Sequence, residues 1–226
     1  MARISHTSEK SNSSSNPTKK YLDWKSNSKA FEFYDKEACK RVTVGLPLKF
    51  VFLQHYHTVK GWHSASKSNI YSNEVFYIGS EPMTVRSFGN KEEKLPPVEI
   101  ASGIYTEMKL KINASGGKYH RSVYVMLEDG TIANLSFKGA VVREWSDFMA
   151  ANKSLVDNQW IEVKSAKDQK KGSVEYSTPE FTMGAKLNAK DSAQADSVSS
   201  ELKAYLDRYF IKNEDVQDAT GVELDI

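Results

Sequence analysis

The hydrophobic period of this chain changes repeatedly between two and about four, and those changes constrain its fold more than any other feature. From Ala30 to Phe88 the apolar residues recur at every second position or run together with β-branched and aromatic neighbours, as strands require. Phe31 and Phe33 alternate with Glu32 in Ala30–Tyr34. Arg41–Val44 and Leu48–Val59 follow, separated by a break at Gly45 and Pro47. Further strands are expected over Asn69–Ile78 and around Met83–Phe88, before a polar loop at Gly89–Pro97. Ile100, Ile104, Met108 and Ile112 then recur every four residues, which places one apolar stripe on a helix. Ser115-Gly116-Gly117 is a stop signal for it. Strand alternation through Met108, Leu110 and Ile112 is the competing reading. The period then returns to two: Arg121–Leu127 and Thr131–Phe137 flank Glu128-Asp129-Gly130, the strongest short-range hairpin signal.

Val141, Val142, Trp145, Phe148 and Met149 suggest a second helix. Trp160–Lys167 and Ser173–Thr182 pair as a second hairpin across Asp168–Gly172. Ala195, Val198, Leu202, Tyr205, Leu206, Tyr209 and Phe210 form an apolar stripe at helical spacing, from about Asp191 to Phe210. Strands, a helix, then more strands is the order of an oligonucleotide-binding (OB) barrel, where a helix lies between the third and fourth strands. The expected fold class is therefore mainly β with helices (α+β), an OB-fold-like antiparallel β-barrel with an added hairpin and a C-terminal helix. A small β-sandwich fits the same signals. The expected organisation is a disordered Ser/Asn/Lys-rich arm at 1–20, a core at 21–186, an amphipathic helix at 187–212 and a disordered acidic tail at 213–226.

Composition removes several function classes. Uninterrupted apolar runs such as Phe50–Leu53 and Val123–Leu127 are short, far below the roughly 20 residues of a membrane span. The N-terminus lacks the apolar stretch of a secretory signal, and one cysteine, Cys39, excludes an intrachain disulfide and fits a reducing cytoplasm. No G-x-S-x-G, H-E-x-x-H or G-x-G-x-x-G occurs. Ser115-Gly116-Gly117-Lys118 lacks the glycine spacing of a phosphate loop, and Tyr119 stands where Ser or Thr would bind magnesium. His55, His57 and His63 have no acidic residue close in sequence, so the reading is no metal, no cofactor, no catalytic residue and no enzyme; a hydrolase built on these histidines is the weakest rival.

Charge is divided unevenly. The last fourteen residues hold five carboxylates (Glu214, Asp215, Asp218, Glu223, Asp225) and no base, so a chain of net charge +2 carries +7 over residues 1–212. Basic and aromatic residues interleave in three places. Tyr56, Lys60 and Trp62 lie near Lys67; Lys118, Tyr119 and Arg121 lie near Tyr124; Lys167, Lys170 and Lys171 surround the second hairpin turn. Lysines and arginines follow phosphates by counterion release, and exposed rings stack bases without reading sequence. Tyr56, Trp62, Tyr119 and Tyr124 are the candidate stacking residues, and the named cations are the candidate phosphate contacts.

Gly103-Ile104-Tyr105, Gly116-Gly117-Lys118-Tyr119, Gly139-Ala140 with Trp145, and the acidic end together resemble phage-encoded single-stranded-DNA-binding proteins. The resemblance is one of layout over roughly Lys29–Lys186 plus the tail. It implies an OB core that coats single-stranded DNA in replication or recombination, in the cytoplasm of a bacterial host. It also implies that Glu223, Leu224, Asp225 and Ile226 contact replication or recombination proteins. Bacterial members of the wider class end in Pro-Phe, which Val222–Ile226 lacks, so the usual bacterial partners do not follow from it. The rival reading is a virion structural or assembly protein with a β-sandwich core. The helix at Asp191–Phe210 is a candidate contact for a homo-oligomer under either reading.

Overall fold

The computed structural model describes residues 16–219, with side chains through residue 209. The chain is α+β: β1 (Lys20–Lys25), β2 (Ala30–Asp35), β3 (Lys40–Val44), β4 (Leu48–His63), β5 (Ser68–Ser72), β6 (Met83–Ser87), β7 (Val98–Gly103), α1 (Tyr105–Ala114), β8 (Gly117–Leu127), β9 (Ile132–Lys138), α2 (Ala140–Ala151), β10 (Gln159–Lys171), β11 (Val174–Lys186) and α3 (Ala189–Ala219). The strands join in the order β3-β2-β1-β9-β8-β4-β5-β6-β7, and the β10–β11 hairpin branches from the start of β4. This path has two ends, β3 and β7, so the sheet is open and not plainly a closed barrel. The parallel β1–β9 pair also departs from the all-antiparallel pairing expected. α1 does lie between two strands, as the change of period requires.

Both faces of the sheet are covered. Phe50, Phe52, Val123, Val125, Leu135 and Phe137 pack on one face around the fully buried Trp145 of α2 and against the β10–β11 hairpin. Val51, Leu53, Tyr56, Tyr124 and Met126 pack on the other, under Ala195, Leu202 and Leu206 of α3. A third cluster places Tyr105, Met108 and Ile112 of α1 over β5–β7. The apolar stripe of α3 from Ala195 to Leu206 thus packs within the chain. Asn188 caps that helix: its Oδ1 accepts from the Asp191 N–H at 2.8 Å, while Asp191 Oδ2 accepts from the Trp160 indole.

A register shift between Phe52 and Gln54 in the β4–β8 pair inverts the facing of β4. Leu53 and Tyr56 therefore look the same way despite their odd separation. Beyond the bulge His55, His57 and Val59 face the α2 side, and Tyr56, Thr58, Lys60 and Trp62 face the α3 side. This bulge decides which basic and aromatic residues of β4 can act together.

Several expected bounds move. Ile100 belongs to β7 and α1 begins only at Tyr105; Ile100 and Ile112 share a cluster, so their spacing reflected common burial, not one common helix. β5 stops at Ser72, and Val75 meets His57 as a single bridge. The strand β1 was not expected at all. Residues 213–219, assigned to a disordered tail, lie within α3. Most of the N-terminal arm, residues 1–15, and the chain end at 220–226 lie outside the described residues.

Candidate nucleic-acid interface

α1, the start of β8, the end of β9, the N-terminus of α2 and the β10–β11 hairpin enclose a cleft of about 1530 Å³. Seven basic side chains line it against two acidic ones. Arg143 is held by Asp147 at 3.7 Å, Lys25 by Asp23 at 3.7 Å, and Glu144 accepts a hydrogen bond from Gln169 at 2.8 Å. That leaves Lys109, Lys118, Lys138, Lys167 and Lys171 with no ion pair among the described residues, which makes the cleft cationic. Gly139–Val142 also line it, and α2 starts there without a side-chain cap. The positive end of the helix dipole adds to the same field.

Lys118 and Tyr119 are set by a close backbone crossing. Gly116 adopts φ +92, and an added Cβ there would fall on the carbonyl oxygen of Trp62; one on Gly61 would fall on the carbonyl oxygen of Gly116. Gly117 packs on Ile112 and Val59. These glycines let the α1–β8 turn lie directly against β4. Gly116→Ala is expected to destabilise the protein by roughly 2–4 kcal/mol, since overpacking and left-handed backbone strain add. Urea unfolding of the variant and parent measures this; equal midpoints would mean the crossing is looser than described.

Beneath the cleft, His57 Nδ1 and the Tyr119 hydroxyl lie 2.7 Å apart, with the Tyr105 and Tyr119 rings 5.6 Å between centroids. Arg121 stands directly opposite His57 in the β4–β8 register. Burial, with Arg121 adding to it, pushes His57 down to about 4; burial, Arg121 and His57 push His55 down to about 3. Both imidazoles are neutral at pH 7. Burial raises the Tyr119 hydroxyl against the opposing pull of Arg121. His63 turns instead to Ser66, Nδ1 to Oγ 2.7 Å. Among the described residues no three His, Cys, Asp or Glu side chains are placed to hold a metal ion.

The structure brings together Lys118, Tyr119, Lys167 and Lys171 from distant parts of the sequence. Arg121 is half-buried under Tyr119 and supports it. Lys170 lines a smaller neighbouring cleft and pairs with Glu175 at 3.3 Å. Three expected contacts must be corrected. Tyr56 is 1% exposed and Tyr124 5%, both in the core beneath α3, so neither ring can meet a base. Lys60 is half-buried and engaged: its Nζ donates to Ser136 Oγ at 3.0 Å near the carboxyl of Glu74. Glu74 accepts from the Tyr124 hydroxyl at 2.8 Å, and burial raises its carboxyl. Together with Tyr205 and Tyr209 these groups line a cavity of about 160 Å³ under α3.

Trp62 is exposed but lies on the α3 side of the sheet, and Lys67 pairs with Glu93 at 2.6 Å near the β4–β5 turn. Glu223, Leu224, Asp225 and Ile226 lie outside the described residues. Sequence reasoning missed Tyr105, Lys109 and Lys138. The first two were legible: Tyr105, Lys109 and Asn113 are spaced by four, share a face of α1, and all line the cleft. Lys138 carried no comparable signal.

Among the described residues no helix is long and apolar enough to cross a membrane. Comparison with protein-family models, with curated proteins and with solved structures gives no match to this chain.

Proposed function

We propose that this chain binds single-stranded DNA in its cationic cleft, with little sequence preference, as a non-enzymatic protein of phage replication or recombination. The observation that carries this reading is the set of five lysines without ion pairs, drawn from α1, β8, β9 and β10 to one concavity. Such a field attracts a polyanion and sets no base preference. Tyr119 and Tyr176 in the same wall offer π-faces that only unpaired bases can reach, which favours single strands over duplex. The binding argument does not depend on barrel closure or on the OB order of elements.

Titration of fluorescent oligo-dT at two salt concentrations tests the proposal. With about five phosphate contacts, log K is expected to fall against log salt with a slope of about −3.5. Absence of binding at low salt, or equal affinity for duplex, would overturn the reading.

The acidic chain end enters the same proposal. α3 runs from Trp160 toward Lys60 and Tyr71, and Lys60 stands opposite Lys118. The five carboxylates of residues 213–226 offer a competitor for phosphate in the cleft. Removing residues 213–226 is expected to tighten oligo-dT binding several-fold at low salt and to matter little at high salt. Unchanged low-salt affinity in the truncated protein would leave the carboxylates only a solubilising or partner-recruiting role.

A further inference from the structure

Exposed aromatic rings also stand on the other face of the sheet, next to the cleft. Trp62 lies opposite Asn69 in the β4–β5 register, and the Phe88 N–H donates to the Asn69 carbonyl. Trp62, Asn69 and Phe88 thus form one cross-strand row. The next row holds Arg86 opposite Tyr71, with Lys60 and then Lys118 beyond. Trp62 is 54% and Phe88 60% exposed. The Tyr71 and Phe88 rings are stacked, 4.1 Å between centroids and 20° between planes. α3 covers this face at Tyr56 and Tyr124 and reaches Tyr71 only with Tyr205 and Tyr209.

These rings are flanked by Arg86 and Lys67, which are ion-paired with Glu99 and Glu93, and by Lys118, which has no ion pair among the described residues and also lines the cleft. A protein partner's docking surface would need a broader apolar patch with fewer charges at its centre. Open ring faces that border a cation shared with the cleft suit a single strand, whose bases stack on them without further phosphate contacts. Continuity through Lys118 joins this surface to the cleft.

We propose that a single strand leaving the cleft rounds the Gly116–Lys118 corner and stacks further bases on Trp62 and on the Tyr71–Phe88 pair. This rests on the single-strand reading above and adds a second, uncharged contact region to it.

Trp145 and Trp160 are buried away from the cleft, Trp24 lines it with only 6% exposure, and Trp62 is the exposed one, so quenching that W62A removes reports bases on the second region. Oligo-dT of about 20 nucleotides is expected to quench tryptophan emission well beyond what one of about 6 nucleotides, confined to the cleft, can do, and W62A to remove that excess. W62A and F88A are each expected to weaken binding of the longer oligonucleotide by about tenfold while leaving the salt slope and the shorter oligonucleotide unchanged. No excess quenching by the longer oligonucleotide, or unchanged affinity in both variants, overturns the second contact region and leaves the cleft standing. No binding by the parent protein overturns both. Emission that follows protein concentration instead of DNA assigns the rings to self-association and overturns the inference.

Discussion

Reversing charge at Lys118 and Lys167 is expected to weaken oligo-dT binding by about 10²–10³-fold at low salt. Each substitution, Lys118→Glu and Lys167→Glu, removes one attraction and adds one repulsion, together on the order of 2 kcal/mol per site in the partly screened setting of a cleft wall. The salt dependence gives an independent reading of the same event. Losing two of about five phosphate contacts should reduce the slope from about −3.5 to about −2. Lys118→Gln with Lys167→Gln isolates the lost attraction and should fall between parent and reversal. Neither lysine has an ion partner among the described residues and both are exposed, so thermal stability should change little. A double reversal that binds as well as the parent would place the DNA elsewhere and remove the function proposed for the cleft. Reversal at Lys170, which already pairs with Glu175 outside the main cleft, should cost much less and serves as the spatial control.

Whether a residue's role could be read from the sequence depended on whether it follows from local period or from register. The hairpin at Asp129-Gly130, α2 and most of α3 are local: turn chemistry and helical spacing fix them, and they stand within a few residues of where the sequence placed them. The facing of β4 is not local. The one-residue bulge near Leu53 sends Tyr56 and Lys60 under α3, and no turn signal marks it. An interleaved run such as Tyr56–Trp62 therefore looked like one surface and is divided between two. Tyr124 misleads for a related reason: strands covered on both faces carry apolar and aromatic residues at successive positions, so alternation cannot tell which ring stays in water. The cleft itself needs α1, β8, β9 and the distant β10–β11 hairpin to converge. Lys118 and Lys171 meet only because the hairpin branches from β4 and folds back over α2. Charge composition suggested that such a field exists, and only topology could say where.

The same burial that neutralises the histidines under the sheet surface should make the fold acid-labile. His55, His57 and His120 are held near 3, 4 and 3 by burial first, with Arg121 acting on the first two and Lys60 and Lys138 on the third. Their folded values lie below the unfolded value near 6.5, so between those limits the unfolded chain binds more protons than the native one. The stability these groups contribute is complete above about pH 6.5 and is lost as pH falls toward 4. Each histidine removes about 1.4 kcal/mol per pH unit within that window. Three together remove on the order of 4 kcal/mol per unit, enough to exhaust the 5–15 kcal/mol typical of a domain within a few units. Glu74 works in the opposite sense. Burial raises its carboxyl, so acid relieves a buried charge there, but it is one group against three. Near-UV circular dichroism against pH is expected to show cooperative unfolding between about pH 4 and 5. His120 is the cleanest single site, since its Nδ1 meets only the Ser136 hydroxyl at 3.0 Å and a neutral amide can take that place. His120→Gln should lower the acid midpoint by several tenths of a pH unit while changing stability at pH 7.5 much less. A parent protein still folded at pH 3 would mean that these imidazoles take up protons in the native state and that water reaches them.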